Sequence, residues 1–208
     1  ILNAAGGRSL LCTVERGFAV RVAMRDDARI RAVDVATGRS CETAIDPEAH
    51  ARDMIMGALP LFHVFANGCV LNRTVANGGC IAMLPRFDAG QCLKTLQRVR
   101  ATAMPGVPTM YQALLDHPDL AKTDFTSLRI CISGGAPLPV PVKQRFEAAA
   151  GAKLVEGYGL TETSGVVSSN PYEGEERIGS IGQPIPGTHI RLLDKEDPTR
   201  LAPPGEPG

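Results

Sequence analysis

The sequence lacks any charge imbalance: 22 Lys and Arg stand against 22 Asp and Glu. Phosphate binding needs clustered excess cation, so the balance argues against nucleic acid as the main partner. It lacks any run approaching the ~20 apolar residues of a membrane span. It lacks a secretory leader, since Ile1-Leu2-Asn3-Ala4-Ala5 has neither a basic region nor a long apolar stretch. It does not open on Met, so the expectation is a start inside a longer gene product. No two of its cysteines, Cys12, Cys41, Cys69, Cys80, Cys92 and Cys131, form a CxxC pair, and the usual zinc and redox signatures are absent. Cys69, Cys80, Cys92 and Cys131 sit among apolar neighbours and read as small, reduced core residues, which fits the cytoplasm. There is no internal repeat, and no low-complexity stretch before the Pro/Gly-rich end.

What is present supports a packed core, with 44% hydrophobic residues across 208 positions. Length alone allows one large domain or two small ones. Residues 1–50 carry seven Arg, no Lys and seven acids. Loosely alternating stretches at 18–22 and 30–35 read as strands, without a motif. Residues 54–64 are apolar and contain Pro60. Asp88 is placed to cap a helix through Arg100, with Leu93, Leu96 and Val99 at helical spacing. Pro108 fits the first turn of a helix carrying Tyr111, Leu114 and Leu115.

Residues 128–132 read as a buried strand, and Ser133-Gly134-Gly135-Ala136-Pro137 as a glycine-rich turn. Residues 139–150 read as a helix with Val142, Phe146 and Ala149 on one face and Gly151 as its C-terminal cap. A second strand at 153–156 runs into a loop over 157–164. This is a parallel βαβ unit. A further strand is expected at 189–193, then a turn at 194–198.

In a parallel pair both carboxyl ends lie on one sheet edge, so the segments 133–137 and 157–164 emerge side by side, where ligands of open α/β sheets bind. Glycines let a backbone approach a flat or charged ligand closely. Tyr158 offers a face for stacking on a base. Thr161 offers a hydroxyl for a phosphate oxygen, and Glu162 a hard carboxylate suited to Mg2+. Tight turns and a solvated surface acid are the plain alternative. His63, among Phe62, Val64 and Phe65, reads by itself as a structural histidine.

Five blocks occur in register: Leu59-Pro60-Leu61-Phe62-His63, Pro105-Gly106-Val107-Pro108-Thr109, Ser133-Gly134-Gly135-Ala136-Pro137-Leu138, Glu156-Gly157-Tyr158-Gly159-Leu160-Thr161-Glu162-Thr163 and Gly179-Ser180-Ile181-Gly182-Gln183-Pro184. In this order they resemble adenylate-forming enzymes, and most closely the acyl-CoA synthetases (AMP-forming acyl-CoA ligases). Leu160 looks more like those ligases than like peptide-synthetase adenylation domains. The resemblance implies activation of a carboxylic (fatty) acid by ATP to acyl-AMP, with transfer to CoA. It implies that Gly135, Ala136 and Pro137 line the adenine, that Glu156, Gly157 and Tyr158 complete that pocket, and that Gly159 adjoins it. It implies that Thr161 holds the α-phosphate, Glu162 the Mg2+, and that His63 lies near the acyl carboxylate. Phe65, Val107, Gly157 and Gly159 would shape an acyl channel.

The resemblance covers residues ~52–208. It also implies a phosphate loop ending in Lys before the Leu-Pro-Leu-Phe-His block, an Asp for the ribose hydroxyls, and a small domain with a catalytic Lys. Residues 1–53 contain no such loop, and the other two belong beyond residue 208. The expected architecture is therefore α/β: a mainly parallel sheet flanked by helices, with a β-rich C-terminal end, as an incomplete large domain of an adenylate-forming enzyme. Residues 1–53 form a segment of unknown origin, and 54–208 a partial AMP-binding domain. The expected partners are a small-molecule carboxylic acid, ATP and CoA, with self-association through open sheet edges. The chain alone is expected to be inactive; a non-catalytic AMP- or acyl-binding or interaction module is the alternative.

Overall fold

The computed structural model describes residues 53–205 in full and, ahead of them, the backbones of four strands. These are β1 (Ser9–Val14), β2 (Phe18–Met24), β3 (Arg29–Asp34) and β4 (Ser40–Ala44), an antiparallel meander in chain order. The stretch expected to be a strand at 18–22 falls in β2, and that at 30–35 in β3 as far as Asp34, Val35 lying outside the described residues.

The second sheet begins with β5 (Met54–Gly57). A helical run over 64–76, here α1, follows; its middle, Asn67–Asn72, is π-helical. Then come β6 (Cys80–Met83), α2 (Ala89–Arg98), β7 (Ala103–Gly106), α3 (Pro108–Leu115), β8 (Ile130–Ser133) and α4 (Val140–Ala150). The sheet closes with β9 (Lys153–Leu160), β10 (Gly165–Ser169) and β11 (Gln183–Pro184). Strand order is β11-β10-β9-β8-β7-β5-β6. The strands β6, β5, β7, β8 and β9 are mutually parallel, and β10 and β11 join antiparallel.

Local chemistry sets the helix limits. The Asp88 side chain accepts from the Gln91 N–H at 2.8 Å and starts α2. The helix ends before the expected Arg100, which adopts a left-handed φ of 51°. Pro108 opens α3. Gly151, at φ 65°, caps α4. These helices bury Cys92, Leu93, Leu96, Tyr111, Leu114, Val142 and Phe146 against the sheet. Tyr111 and Phe146 meet edge to face with ring centroids 4.9 Å apart. Each such apolar side chain contributes about 1.5–3 kcal/mol on burial.

The cysteines divide. Cys92 and Cys131 are buried as expected, Cys69 is half-buried, and Cys80 is exposed because β6 is the end strand of the sheet. Burial pushes the Cys92 thiol up to about 12, and the Cys131 thiol rises for the same reason.

Two expectations change. β9 continues through Gly157-Tyr158-Gly159 to Leu160 instead of ending at residue 156, because β10 folds back to pair with it. No strand forms at 189–193; only a Leu193–Leu201 bridge appears there. Ile190, Leu192 and Leu193 stay exposed, so little burial offsets the cost of ordering that stretch. Asp194 does make the expected turn, accepting from the N–H groups of Glu196 and Asp197.

The strand order determines where a ligand fits. From β5 the chain crosses outward to β6, then returns past β5 to β7, β8 and β9. Right-handed crossovers in opposite directions put α1 on one face of the sheet and α2, α3 and α4 on the other. The carboxyl ends of β5 and β7 therefore form a topological switch point, the usual place for a ligand crevice.

Candidate functional site

The last rung between β8 and β9 pairs Ser133 with Glu156. Beyond it, β8 gives way to a glycine-bearing loop, while β9 continues as strand through Gly157-Tyr158-Gly159. Gly134 donates its N–H to Gly106 O at 3.2 Å, holding the first segment against the end of β7. Glu156 then closes the unit: its Oε1 accepts from the Leu138 N–H at 3.0 Å. The residue leaving the βαβ unit thus grips the loop that entered it. Leu138 is buried and Ala136 exposed, so the loop is anchored at its exit and open at its crest.

Close approach explains two of the glycines. A Cβ on Gly134 would come within 3.3 Å of Gly157 O and of the Phe65 ring. Gly135 has φ 80°, and a Cβ there would lie 3.5 Å from Val107 Cγ1. Phe65 from α1, Val107 from the end of β7, Gly134, Gly135 and Gly157 therefore pack together at the carboxyl edge of the sheet.

Strand alternation divides the work along β9. Glu156 and Tyr158 are two residues apart and share a face, while Gly157 and Gly159 share the other. A Cβ built on Gly157 would face Ile132 Cγ2 at 4.0 Å. Ile132 and Cys131 are adjacent in β8, and Cys131 packs towards Tyr111, on the face of α2 to α4. Gly157 hence opens towards the α1 face, whereas Gly159 is closed off by the backbone of Gly165 and Val166. The carboxylate and the aromatic ring lie on the opposite face. Tyr158 is 39% exposed. Two hydroxyls beside this pair, Ser133 Oγ and Ser168 Oγ, are buried without a hydrogen-bond partner. Ser133 stands across from Glu156 and Ser168 across from Tyr158.

β9 overhangs β8, so the β9–β10 turn at 161–164 lies about 16 Å along the strand from Glu156. Thr163 locks this turn: its Oγ1 accepts from the Leu160 N–H at 3.0 Å. Thr161 and Glu162 are exposed in the turn. Gly165, directly after it, faces Val64 Cγ2 at 3.8 Å, which brings the turn beside the first residues of α1.

His63 caps that helix. Its Nδ1 accepts from the Phe65 N–H at 3.2 Å. A neutral ring with Nδ1 accepting carries its proton on Nε2, and the side chain is exposed. The structural role read from the sequence is therefore real, and it leaves an N–H on the accessible side of the ring.

Gly135, Ala136, Pro137, Glu156 and Gly157 come together, with Tyr158 and Gly159 continuing along β9. Thr161 and Glu162 stand at the far end of the same hairpin, near the helix that His63 caps. Sequence reasoning missed the Leu138 N–H as partner of Glu156, the Thr163 lock and Gly165. The capping type Thr at the end of a Gly-Tyr-Gly-Leu strand was the available signal for the hairpin. Among the described residues no group of three or more His, Cys, Asp or Glu could hold a metal ion. No helix among them is long and apolar enough to cross a membrane.

Residues 29–208 match the family model described as AMP-binding enzyme. The long-chain-fatty-acid–CoA ligase of Bacillus subtilis strain 168 is 42% identical over 151 residues, 73% of this chain and 27% of that relative. Among solved structures, the anthranilate CoA ligase AuaEII in complex with anthranoyl-AMP is similar with a TM-score of 0.68 and 31% identity, over 74% of this chain and 30% of that one. ATP-bound MatB from Rhodopseudomonas palustris is similar with a TM-score of 0.67 and 33% identity, over 82% of this chain and 36% of that one. The chain thus spans about a quarter to a third of the relatives it matches. Fold, sheet-edge geometry and family match agree: this chain belongs to the AMP-binding enzymes.

Proposed function

We propose that this chain is the AMP- and acyl-binding core of an acyl-CoA ligase, one that activates a fatty acid with ATP and passes it to CoA. The reading is carried by one observation, the Glu156–Leu138 bond, which joins two glycine-rich segments into a single cradle beside the switch point. The names of the relatives support the acid and the thiol, and strand alternation supports two adjoining pockets.

In this reading the adenine rests on Gly135, Ala136 and Pro137, against Glu156 and Gly157, with Tyr158 stacked on it. The acyl chain enters on the α1 face between Phe65, Val107, Gly157 and Gly159. A carboxylate oxygen of the acid attacks the α-phosphorus of ATP, and pyrophosphate leaves with the electron pair of the broken P–O bond. The CoA sulfur then attacks the acyl carbonyl carbon and AMP departs. Thr161 donates to an α-phosphate oxygen, and the Nε2–H of His63 orients the acid's carboxylate. Glu162 is a lone, exposed, hard carboxylate, which fits Mg2+ shared with substrate phosphates rather than an all-protein cage. When bound there, the ion would neutralise charge gathering on those phosphates.

We assign residues 54–208 to the partial AMP-binding domain and residues 1–53 to a segment ahead of it, of which the family model takes in 29–53. The open end strand β6 makes self-association through the sheet edge an expected property. The even balance of 22 cationic and 22 acidic residues supports a partner other than nucleic acid, and the buried free thiols of Cys92 and Cys131 support a reducing compartment, the cytoplasm. A second reading, a binding module without turnover, applies to the isolated chain. Its support is that residues 1–53 contain no Lys.

The test is calorimetric titration of the chain with AMP, with palmitate, and with a palmitoyl-sulfamoyl-adenosine mimic of the acyl-adenylate. Adjoining pockets predict that the mimic binds at least tenfold more tightly than AMP, because the second contact becomes intramolecular. Equal affinities for mimic and AMP would remove the acyl half of the reading. Absence of binding by both would remove all of it.

A further inference from the structure

Lys143 is 4% exposed, and the chemistry proposed above makes no use of it. Its three ammonium donors are all engaged. They reach Glu147 Oε1 at 2.7 Å, Leu154 O at 2.6 Å and Glu176 Oε1 at 3.0 Å. Glu147 Oε1 also accepts from the Leu154 N–H at 2.8 Å. One turn of α4 thereby binds both main-chain polar groups of Leu154.

The place of Leu154 in the sheet gives this meaning. β10 begins to pair with β9 only at Gly157. At Leu154 the outer side of β9 has no neighbouring strand, and Lys143 with Glu147 supplies the hydrogen bonds a strand would give. Glu176, from the segment after β10, closes over the same ammonium. Lys153 holds that segment too, donating to Tyr172 O at 2.8 Å and to Pro171 O at 3.2 Å. Two residues after Leu154 come Glu156 and the two-faced stretch Gly157-Tyr158-Gly159. A shift of β9 by even part of a residue spacing would misalign Glu156 with the Leu138 N–H and Tyr158 with the cradle.

We infer that Lys143 is a positioning residue for the nucleotide cradle: with Glu147 and Glu176 it fixes the position of β9, and through it the adenine-facing backbone of Glu156, Gly157 and Tyr158. The part concerning the nucleotide rests on the reading under Proposed function; the part concerning β9 does not. Besides its two carboxylate partners, the buried ammonium takes the main chain of the strand that bears the site.

The experiment uses the whole chain with glycine labelled by 15N and follows amide exchange at Gly157 and Gly159, with Gly90 and Gly106 as controls. In Lys143→Met, exchange at Gly157 and Gly159 should speed at least tenfold beyond any change at the controls, and the Kd for AMP should rise about tenfold. In Glu176→Gln, which keeps the bonds to Glu147 and Leu154, the same two glycines should change in the same direction by a smaller factor. If Lys143→Met does not fold, Glu176→Gln decides. Unchanged exchange at Gly157 and Gly159, or equal acceleration at all four glycines, overturns the inference. Faster exchange at Gly157 and Gly159 in a chain whose wild type binds no AMP upholds the positioning of β9 and overturns the nucleotide reading instead.

Discussion

Glu156 Oε1 lies 3.0 Å from the Leu138 nitrogen, so a side chain from the middle of β9 satisfies the first buried N–H after the Ser133-Gly134-Gly135-Ala136-Pro137 loop. A buried N–H left without a partner costs about 1–3 kcal/mol. Glu156→Ala should therefore lower the unfolding free energy by about 1–2 kcal/mol in urea titration and weaken AMP binding. Glu156→Gln keeps an acceptor oxygen and should restore most of both. Equal losses in the two variants would mean the carboxylate acts by its charge and not as this acceptor.

Gly159 and Gly68 make a contrasting pair. A Cβ on Gly159 would collide with Gly165 O, a backbone atom that cannot turn aside, while one on Gly68 meets nothing within 4 Å. Gly159→Ala should destabilise by about 1–3 kcal/mol through forced movement of the β9–β10 hairpin. Gly68→Ala, in a helical run, should be neutral or stabilising by up to about 1 kcal/mol. Thermal denaturation of both variants reads the difference; a tolerated Gly159→Ala would contradict the close hairpin.

The Tyr111 hydroxyl is buried, 2.6 Å from Met104 O and 3.1 Å from Ile132 O, beneath the ends of β7 and β8. Tyr111→Phe keeps the ring packing on Phe146 and removes only the donor. The expected loss is about 1–2 kcal/mol in a chemical-denaturation series. A loss within error of zero would show that these carbonyls are satisfied without it.

Cysteine titration sets the alkaline limit. Burial raises the Cys92 thiol from its ordinary 9.0 to about 12. The native chain keeps a proton that the unfolded chain releases above pH 9, so this contribution is fully present below pH 9 and is lost as pH climbs towards 12. The urea midpoint of wild type should fall more steeply between pH 9 and 11 than that of Cys92→Ala. Alkylation mapped by mass spectrometry at pH 8 should modify the exposed Cys80 well before Cys92 and Cys131. Parallel pH slopes, or early labelling of Cys92, would contradict this.

Much of this was legible in the residues because local chemistry specified it. Asp88, Pro108 and Gly151 mark helix limits that the structure reproduces, and the βαβ unit follows from two short apolar strands around one amphipathic helix. The end of β9 was not legible. Gly157-Tyr158-Gly159 has loop composition, yet it extends as strand because Gly165 approaches Gly159 from a partner strand, a non-local contact. The expected strand at 189–193 failed for the converse reason: its apolar residues meet no neighbouring strand. The cradle residues could be read as types suited to a nucleotide, but the bond from Glu156 to Leu138, and Lys143 beneath β9, depend on side-chain reach that spacing does not reveal.

The central claim is that AMP rests on the joined carboxyl ends of β8 and β9. The most direct measurement is peptide-resolved hydrogen exchange of the whole chain with and without millimolar AMP. The account predicts slowed exchange over residues 133–138 and 156–160, with α2 and residues 120–122, which contribute nothing to the cradle, unchanged. Protection elsewhere with none in those two segments, or none at saturating AMP, would contradict it.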